Sequence, residues 1–357
     1  MQDEKMSYET LQNSDTTLVS VVIVGQNEKN TIQDCITSIF EQTYPNFEII
    51  YVDEKSSDGT YEKATGLTNY SKSFKNCKRY LTLSLEANSP AIGRNFGVKF
   101  ARGIIIAFTD ADCIAEKDWL VNLVKYLPKE MGMIGGPNEL KHFKTSKILD
   151  VIDKVLGTYL GSGGSPQFLK IKNLSEVYAL PTNNLAIQKS LFEKFGGFDE
   201  RLTYNEDSDF SIRMLKDGYK IMYTPEARVN HFMGIESYPD FLRFLFKYGS
   251  ARGKNAATSP QFFTKFNVFS TAFILILFSL FALSFFVNIA MTMLLSFILI
   301  ITLILFAASI KIAIRNKSPV LSFLALPIFI SIHTVYNIGF LLGYLLSLLG
   351  IKRKIFT

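Results

Sequence analysis

The stretch from Ile104 to Trp119 reads IIIAFTDADCIAEKDW, and it joins a buried strand to two carboxylates. Apolar β-forming residues run up to Thr109, and Asp110 and Asp112 follow. Residues two apart in a strand point to the same side, so both carboxylates can aim at one point. Like charges at one point need a positive partner, and such oxygen ligands favour Mg²⁺ or Mn²⁺ beside a phosphorylated ligand. A solvated loop after a strand fits the triplet equally well, so the surrounding sequence must decide.

The surrounding sequence alternates between strand and helix patterns. The segments LVSVVIVGQNE, FEIIYVDEKSSDGT and RYLTLSL read as strands, and NTIQDCITSIFEQT and SPAIGRNFGVKFA read as helices between them. This rhythm predicts an α/β fold with a mostly parallel sheet flanked by helices. Ligands bind at the carboxyl ends of such strands. The polar clusters lie there: Asn27-Glu28, Asp53-Glu54 and Asp110-Asp112.

Charge divides the chain into two parts. All 32 acidic residues lie at or before Asp240, and residues 241–357 carry 11 Lys and Arg. Residues 1–240 thus hold 27 basic and 32 acidic residues, a net charge of −5, and the tail has a net charge of +11. The overall charge of +6 is therefore no argument for nucleic acid. A basic, acid-free and apolar tail indicates a membrane with anionic lipids.

The tail also predicts membrane-spanning helices by its length. A span needs roughly 20 apolar residues. Residues 266–314 are long enough for two helices, with a turn expected at Asn288 and basic residues returning to the cytoplasm. A third apolar run follows from Val320 to Gly350. A bend near Pro327 or at residues 337–339 would keep the basic end 352–357 in the cytoplasm, but length favours three spans.

The N-terminal part is expected in the cytoplasm. Residues 1–17 are polar and contain no apolar signal-peptide region. The three cysteines, Cys35, Cys77 and Cys113, have no metal-ligand spacing and cannot all pair, which favours a reducing compartment. We therefore expect an integral membrane protein whose large N-terminal domain is cytoplasmic.

The order of these motifs resembles the inverting glycosyltransferases of family two, which have the GT-A fold. The resemblance covers about Leu18 to His231. It rests on five stretches in the family's order: VSVVIVGQNEKNTIQDCITSIFEQTY, FEIIYVDEKSSDGT, GRNFGVKFARGIIIAFTDADC, NNLAIQKSLFEKFGGFD and NEDSDF. Each stretch alone is a weak signal, but five in order are a specific one.

The resemblance implies roles for individual residues. It implies that Asp207 is the general base, a role that a carboxylate can perform when the acceptor is a hydroxyl. It implies donor-binding residues at Asn27, Glu28, Asp53, Arg94 and Asp110. It implies metal ligands at Asp110 and Asp112, with His231 as a third ligand or else a structural contact, and acceptor-side residues at Asn183, Asn184 and Glu206. Asn95 would lie with Arg94 near the diphosphate, and Asp58 would either contact the ligand or cap the next helix.

Two departures from the family pattern concern the donor. Glu54 stands where the family usually has Asp, which bears on base recognition. The usual Pro, Ser or Thr near Gly25 is absent. Neither departure affects the expected metal site at Asp110 and Asp112, which would take Mg²⁺ or Mn²⁺.

The sequence therefore predicts a membrane-anchored hexosyl or N-acetylhexosaminyl transferase of cell-envelope polysaccharide or glycolipid biosynthesis. Its donor would be a nucleotide sugar, with a lean to UDP, and its acceptor a lipid-linked or other membrane-proximal glycan. The alternatives are a processive polysaccharide synthase, whose Gln-x-x-Arg-Trp motif is missing, and a non-catalytic nucleotide-binding scaffold. The expected organisation is 1–17 flexible, 18–235 GT-A domain, 236–262 amphipathic interfacial helix and linker, 263–351 transmembrane helices and 352–357 basic tail.

Overall fold

The computed structural model describes residues 17–87, 89–127, 132–263 and 265–351. Their contacts divide into two units. The first comprises the described residues of Met1–Lys141 and Pro166–Met233, and the second those of His142–Ser165 and Gly234–Thr357. The predicted basic tail and all but Thr17 of the predicted N-terminal segment lie outside the described residues.

The described strands form one sheet of eight strands and one of three. In chain order they are β1 (Val19–Gly25), β2 (Phe47–Asp53), β3 (Cys77–Ser84), β4 (Ile105–Asp110), β5 (Cys113–Ala115), β6 (Met133–Gly135), β7 (Asn138–Leu140), β8 (Ser175–Glu176), β9 (Leu185–Gln188), β10 (Ile221–Tyr223) and β11 (Val229–His231). The larger sheet has the order β3-β2-β1-β4-β9-β6-β10-β8, and the smaller has the order β5-β11-β7. The pairs among β3, β2, β1 and β4 are parallel, whereas β9 is antiparallel to β4 and β6. The predicted α/β class is confirmed, with a mixed sheet.

The described helices belong to both units. In chain order they are α1 (Ile32–Phe40), α2 (Thr60–Gly66), α3 (Thr68–Ser71), α4 (Pro90–Phe100), α5 (Trp119–Lys125), α6 (Lys147–Leu156), α7 (Tyr159–Ser162), α8 (Lys189–Lys194), α9 (Glu206–Lys216), α10 (Tyr238–Thr258), α11 (Lys265–Leu283), α12 (Asn288–Arg315), α13 (Val320–Ser331) and α14 (Asn337–Leu348). A π-helical turn, Ile332–Tyr336, joins α13 to α14, and short 3₁₀ turns lie at Thr182–Asn184 and Pro260–Phe262.

The parallel strands are buried on both faces, which explains their apolar sequences. Val21 and Ile23 of β1 belong to the core cluster that contains residues of α1. Val22 and Val24 belong to a second cluster, which contains residues of α4. Side chains alternate between the faces of a strand, so a sheet covered on both faces needs an unbroken apolar run. The core is thus divided between the two faces of one sheet.

The second unit contains the apolar C-terminal helices. Two described helical segments are long and apolar enough to cross a membrane, Asn288–Arg315 and Val320–Leu348, and α11 contains a shorter apolar stretch. Helices α11 and α12 pack together, with the rings of Phe273 and Phe297 5.3 Å apart. Their connection is residues 284–287, so Asn288 begins α12 rather than forming the turn expected there.

One segment lies in a different unit from the one that the predicted boundaries imply. Residues 142–165 fall inside the predicted domain 18–235, yet they belong to the second unit. Helix α6 in this segment packs on α13, and Leu149, Val151, Ile152 and Val155 are buried. An amphipathic pattern predicts a buried face, but it does not identify the partner that covers that face.

We predict that Gly97→Leu destabilises the first unit. A Cβ at Gly97 would lie 2.6 Å from Val22 Cγ1 and 3.2 Å from Val52 Cγ2. Added side-chain atoms in such a packed core cost about 1–3 kcal/mol. Urea unfolding in detergent measures the effect through the fluorescence of Trp119, which is completely buried. The matched control is Gly66→Ala, because no atom lies within 4 Å of that Cβ position. Equal unfolding midpoints for Gly97→Leu and the wild type would contradict this prediction.

Candidate active site

The strand register places the polar residues at one edge of the sheet. Gly25 of β1 pairs with Asp53 of β2, and Val24 pairs with Asp110 of β4. A Cβ at Gly25 would lie only 2.3 Å from the Cβ of Ala111, so the loop after β4 approaches too closely for any larger residue. This contact gives a physical reason for glycine at position 25, next to the site where the family pattern has Pro, Ser or Thr.

Of the predicted donor-binding residues, Asp53 holds the loop after β2, and Asn27 joins that loop to the loop after β1. The Asp53 carboxylate accepts hydrogen bonds from the Ser56 amide at 2.8 Å and the Tyr51 hydroxyl at 3.0 Å. Asn27 has a positive φ of 59°, and its side-chain oxygen accepts a hydrogen bond from the Ser57 amide at 2.9 Å. Asp53 is only 1% exposed. The position of its carboxylate therefore depends on the loop after β2.

Asp58 has the structural role that the sequence left open. Its carboxylate accepts hydrogen bonds from the backbone amides of Thr60, the first residue of α2, and of Lys29. Burial acts to raise the pKa of Asp58, but the hydrogen bonds from the Thr60 hydroxyl and from these two amides outweigh it and lower that pKa. Asp58 therefore caps the start of α2 and joins it to the loop after β1.

Arg94 joins the end of β4 to the start of α9. Its guanidinium donates to the Asp110 carboxylate at 2.6 Å and to the Glu206 carboxylate at 2.7 Å, and the side chain is 4% exposed. Burial alone would lower the pKa of Arg94, but the two carboxylates outweigh it and raise that pKa. The resemblance places Arg94 beside the donor diphosphate, whereas in the structure the guanidinium is engaged by two carboxylates. Its direct effect is to hold Asp110 and Glu206 near each other.

Glu206 and Asp207 are the first two residues of α9. Asn205 precedes them in the left-handed conformation, with a φ of 63°, and marks the helix start. A helix N-terminus favours negative charge. Glu206 is buried, and its pKa is raised to about 7 by that burial, against the effect of Arg94 and with a contribution from Asp207. Asp207 is half-buried, and one of its carboxylate oxygens accepts from the Ser208 amide at 2.6 Å.

Asp112 and His231 form the centre of a second group of side chains. The carboxylate of Asp112 lies 3.1 Å from His231 Nε2, and the side-chain amide of Asn183 lies 2.9 Å from His231 Nδ1. Burial opposes charge on both groups, but their mutual attraction lowers the pKa of Asp112 and raises that of His231. Asn138 donates a hydrogen bond to the side-chain oxygen of Asn183. Asn183, predicted on the acceptor side, thus orients the ring of His231.

Glu28 adds a further carboxylate beside this group. It is half-buried, and one of its carboxylate oxygens accepts from the Thr31 hydroxyl at 3.1 Å. Burial and the negative charges of Asp112 and Asp110 raise its pKa to about 7. Burial is the largest cause of this rise, and the part due to Asp112 and Asp110 indicates negative potential around Glu28. That potential would attract a cation.

Three further polar side chains, those of Asn184, Asn95 and Asp209, make hydrogen bonds or ion pairs that stabilise the fold. Asn184 is fully buried: it accepts from the Trp119 indole and donates to the backbone oxygens of Pro137 and Ala227. These bonds use its side-chain oxygen and both N–H groups, so we exclude it from the acceptor side. Asn95 bonds to the backbone N–H and carbonyl of Phe198, away from Arg94's partners. Asp209 is paired with Arg213 at 2.8 Å, one turn further along α9.

Glu54, which departs from the family pattern, is a buried carboxyl group beside α4. Glu54 is 6% exposed, and one of its carboxylate oxygens is buried without a hydrogen-bond partner. A Cβ at Gly93 would lie 2.5 Å from that oxygen, so the carboxyl group is held against the first turns of α4. Burial is the main cause that raises its pKa to about 7, while the charge of Arg94 opposes the rise. The only sequence signal was the Glu in place of the usual Asp.

Comparison with known proteins places this site in a family. A family model described as Glycosyl transferase family 2 matches residues 20–142, and one described as Glycosyl transferase family group 2 matches residues 167–332. Mannosyltransferase PcManGT from Pyrobaculum calidifontis, solved with GDP-Man and Mn²⁺, superposes with a TM-score of 0.55 at 17% identity, covering 94% of this chain and 95% of that one. The fold and the site therefore define a glycosyltransferase of the GT-A type.

Curated relatives agree with this class. The dolichyl N-acetyl-α-D-glucosaminyl phosphate 3-β-D-2,3-diacetamido-2,3-dideoxy-β-D-glucuronosyltransferase of Methanococcus voltae is 27% identical over 337 residues, 91% of this chain and 96% of that protein. The UDP-Glc:α-D-GlcNAc-diphosphoundecaprenol β-1,3-glucosyltransferase WfgD of Escherichia coli is 34% identical over 108 residues, 30% of this chain and 38% of that protein. The chain belongs to glycosyltransferase family 2 and is a glycosyltransferase.

We predict that Glu54 makes the protein less stable as pH rises. Its pKa is 4.5 in the unfolded chain and about 7 in the folded one, so the folded chain binds the proton more tightly. The free energy of unfolding therefore falls between about pH 4.5 and pH 7 and stays lower above that range. Glu54→Gln removes this loss, so the variant should exceed the wild type by on the order of 1–2 kcal/mol at pH 8, and by little at pH 4.5.

Urea unfolding at a series of pH values measures this difference. The exposed Glu62 provides the matched variant, Glu62→Gln, which should follow the wild type across the series. If the free energy of unfolding of Glu54→Gln changed with pH in the same way as that of the wild type, the folded chain would not raise the pKa of Glu54.

Proposed function

We propose that the protein transfers a sugar from a nucleotide-diphosphate sugar, with a lean to UDP, to a lipid-linked sugar at a membrane, with inversion and with the help of Mg²⁺ or Mn²⁺. The single observation that carries the proposal is the pair of groups joined by Arg94. On one side lie Asp110 and the Asp112–His231 pair, and on the other lies Glu206 beside Asp207. One side is suited to a metal and a diphosphate, and the other to a hydroxyl acceptor.

The donor set fits a divalent cation. Ligand atoms of Asp112, Cys113 and His231 all lie within 4.8 Å of one another. A carboxylate and an imidazole together suit Mn²⁺, and Mg²⁺ prefers carboxylate oxygens. Mg²⁺ and Mn²⁺ prefer oxygen and nitrogen ligands to a thiol, so Asp112 and His231 rather than Cys113 would hold the ion. A bound ion would neutralise charge on the departing diphosphate.

The names of the relatives support a lipid-linked sugar as acceptor. Both specify transfer to an N-acetylglucosamine that is already attached to a lipid through phosphate or diphosphate. The attacking atom in such an acceptor is a sugar hydroxyl, which must lose its proton as the new bond forms. Asp207 is half-buried at the start of α9, and a helix N-terminus stabilises its ionised form. It would take that proton from the acceptor hydroxyl.

The apolar C-terminal helices support a membrane location. Segments Asn288–Arg315 and Val320–Leu348 are long and apolar enough to span a membrane. A lipid-linked acceptor would remain in the bilayer that these helices contact. The catalytic unit would face the cytoplasm, where nucleotide sugars are made.

We predict that Asp112→Asn abolishes sugar transfer and leaves the fold intact. An amide removes the negative charge that a cation requires and weakens the contact that positions His231. Transfer of label from a panel of nucleotide sugars into the lipid fraction, with Mn²⁺ present, measures activity. Excess EDTA should abolish wild-type activity, and added Mn²⁺ should restore it. The exposed Asp118 gives the control variant Asp118→Asn. Full activity in Asp112→Asn, or in the wild type with EDTA, would exclude the metal role.

We predict that Asp207→Asn lowers kcat by on the order of 10²–10⁴-fold and changes the donor KM little, because the amide cannot accept the acceptor's proton. Initial rates with varied donor and acceptor separate the two parameters. The control is Asp217→Asn, since Asp217 follows the other end of α9 and pairs with Lys194 on the surface. A near-normal kcat in Asp207→Asn would assign the base to another group or the acceptor to a lipid phosphate, and a glycosyl-phospholipid product would identify the second case.

A further inference from the structure

Helices α10 and α14 are locked together by four glycines. A Cβ at Gly249 would lie 2.1 Å from the backbone oxygen of Tyr336, and a Cβ at Gly343 would lie 2.0 Å from that of Ser250. Gly253 and Gly339 are equally restricted by the opposite backbone. Backbones in direct contact at four points form a rigid pair. The two helices must therefore lie at the same depth relative to a membrane.

The two helices run in the same direction. The Tyr238 hydroxyl, at the start of α10, bonds to Ser331 at the end of α13. Further along, Gly249 meets Tyr336, and Gly253 meets Phe340. Residue numbers rise together on both helices, so α10 is parallel to the second half of the apolar run 320–348. The contacts extend over most of the length of α10.

The end of this pair lies beside the start of the next apolar helix. The ring of Phe263 lies 5.8 Å from that of Phe340 and 5.6 Å from that of Tyr344. Phe263 comes two residues before Lys265, the first residue of α11. The start of α11 therefore lies beside the middle of α14, at the same position along the axis of the α10–α14 pair.

This arrangement excludes a membrane crossing by both helices. If α10 crossed, α11 would begin on the far side, and the α11–α12 hairpin would bring the chain back to that same side. The run 320–348 would then cross in the direction opposite to α10. The structure has the two helices parallel, so they do not both cross. One cannot cross without the other, because they are in contact along their length.

Charge on α10 leads to the same result. Arg243, Lys247 and Lys254 are exposed, and their spacing of four and seven residues puts them on one face. The side chain of Arg243 is 74% exposed, and within the described part of the chain it forms an ion pair with Asp240, one turn away, at 3.1 Å. Charged side chains within a bilayer normally face the protein interior. Three cations on an outer face are suited to lipid headgroups instead.

We propose that α10 and α14 lie together on the membrane surface, bound to anionic lipid headgroups, and that the chain crosses the bilayer only through the α11–α12 hairpin. Residues 241–357 contain no acid, which makes this part of the chain complementary to anionic lipid. Helix α14 exposes Ile338, Leu342 and Leu345 at helical spacing. This stripe would enter the acyl region while the cations of α10 stay among the headgroups.

The apolar run from Val320 to Gly350, whose length predicted a membrane span, then has a different explanation. Ile328, Phe329 and Phe340 in the run are at most 1% exposed, whereas Phe278 of α11 and Leu299 of α12 are more than half exposed. The run is covered by α6, α10, α11 and α12. Its apolar residues therefore pack into a protein core at the membrane surface and also contact lipid.

A dual reporter at the C-terminus tests the crossing number. The full chain carries alkaline phosphatase, which is active only outside the cytoplasm, fused to GFP, which fluoresces only inside it. We expect fluorescence without phosphatase activity, and the same result for a reporter at the N-terminus. Three spans would put the two ends on opposite sides, so phosphatase activity at one end alone would overturn the proposal. The readout does not depend on sugar transfer, so it is independent of the proposed function.

Depth measurement tests the surface position of α10. The full-length Lys247→Cys variant, labelled with bimane in vesicles containing phosphatidylglycerol, should be quenched at least several-fold more by a headgroup nitroxide than by one near the acyl end. Phe278→Cys on α11 is the matched control and should show the opposite preference. Stronger quenching of position 247 by the deep nitroxide would place α10 in the hydrocarbon and overturn the proposal.

Discussion

The two ion pairs of Arg94 set the geometry on which the active site depends. One buried positive charge lies between the end of β4 and the start of α9, with Asp110 on one side and Glu206 on the other. Removing one partner from a buried pair is strongly destabilising, about 3–5 kcal/mol, because the remaining charge has no compensation. This connection fixes the separation between Asp110, on the side proposed to hold the metal and the diphosphate, and the start of α9, which carries Asp207.

Negative charge exceeds positive charge around this connection. Glu28, Glu54 and Glu206 each have a pKa raised to about 7, with burial as the largest cause. Burial and the neighbouring negative charges both disfavour the ionised forms of these groups. A divalent ion and the charge of a substrate would change which of these groups keep a proton. The electrostatic state of the site is thus coupled to its occupancy.

Close backbone approach through glycine recurs in both units and has the same physical basis. Gly25 admits Ala111 at the site, and Gly97 lets α4 pack on β1 and β2. In the second unit, Gly249 and Gly343 bring two helices into backbone contact. The absence of a Cβ is what permits each approach. In the second unit this contact determines the direction and level of a helix pair, and through them the proposed course of the chain at the membrane.

The strands and helices around the site could be predicted from sequence because local patterns determine them. The apolar runs of β1, β2 and β4 must be covered on both faces, and their parallel arrangement brings their polar ends to one edge. Long-range partners could not be predicted in this way. Asn184 and Asn95 occur in motifs that resemble a binding site, yet their side chains bond to Trp119 and Phe198, distant in sequence. For Glu54, the sequence showed only a Glu where the family usually has Asp.

By itself, then, the sequence determined the α/β class, the family, the polar edge of the sheet and the apolar, acid-free tail, because periodicity, composition and ordered motifs are properties of the chain alone. Only the tertiary structure decided that Arg94 pairs with carboxylates, that Asn183 orients His231, and that the last apolar run packs against α10 and α6. Hydropathy measures how strongly a segment avoids water. Whether protein or lipid provides the apolar surroundings depends on which helices the folded chain brings together.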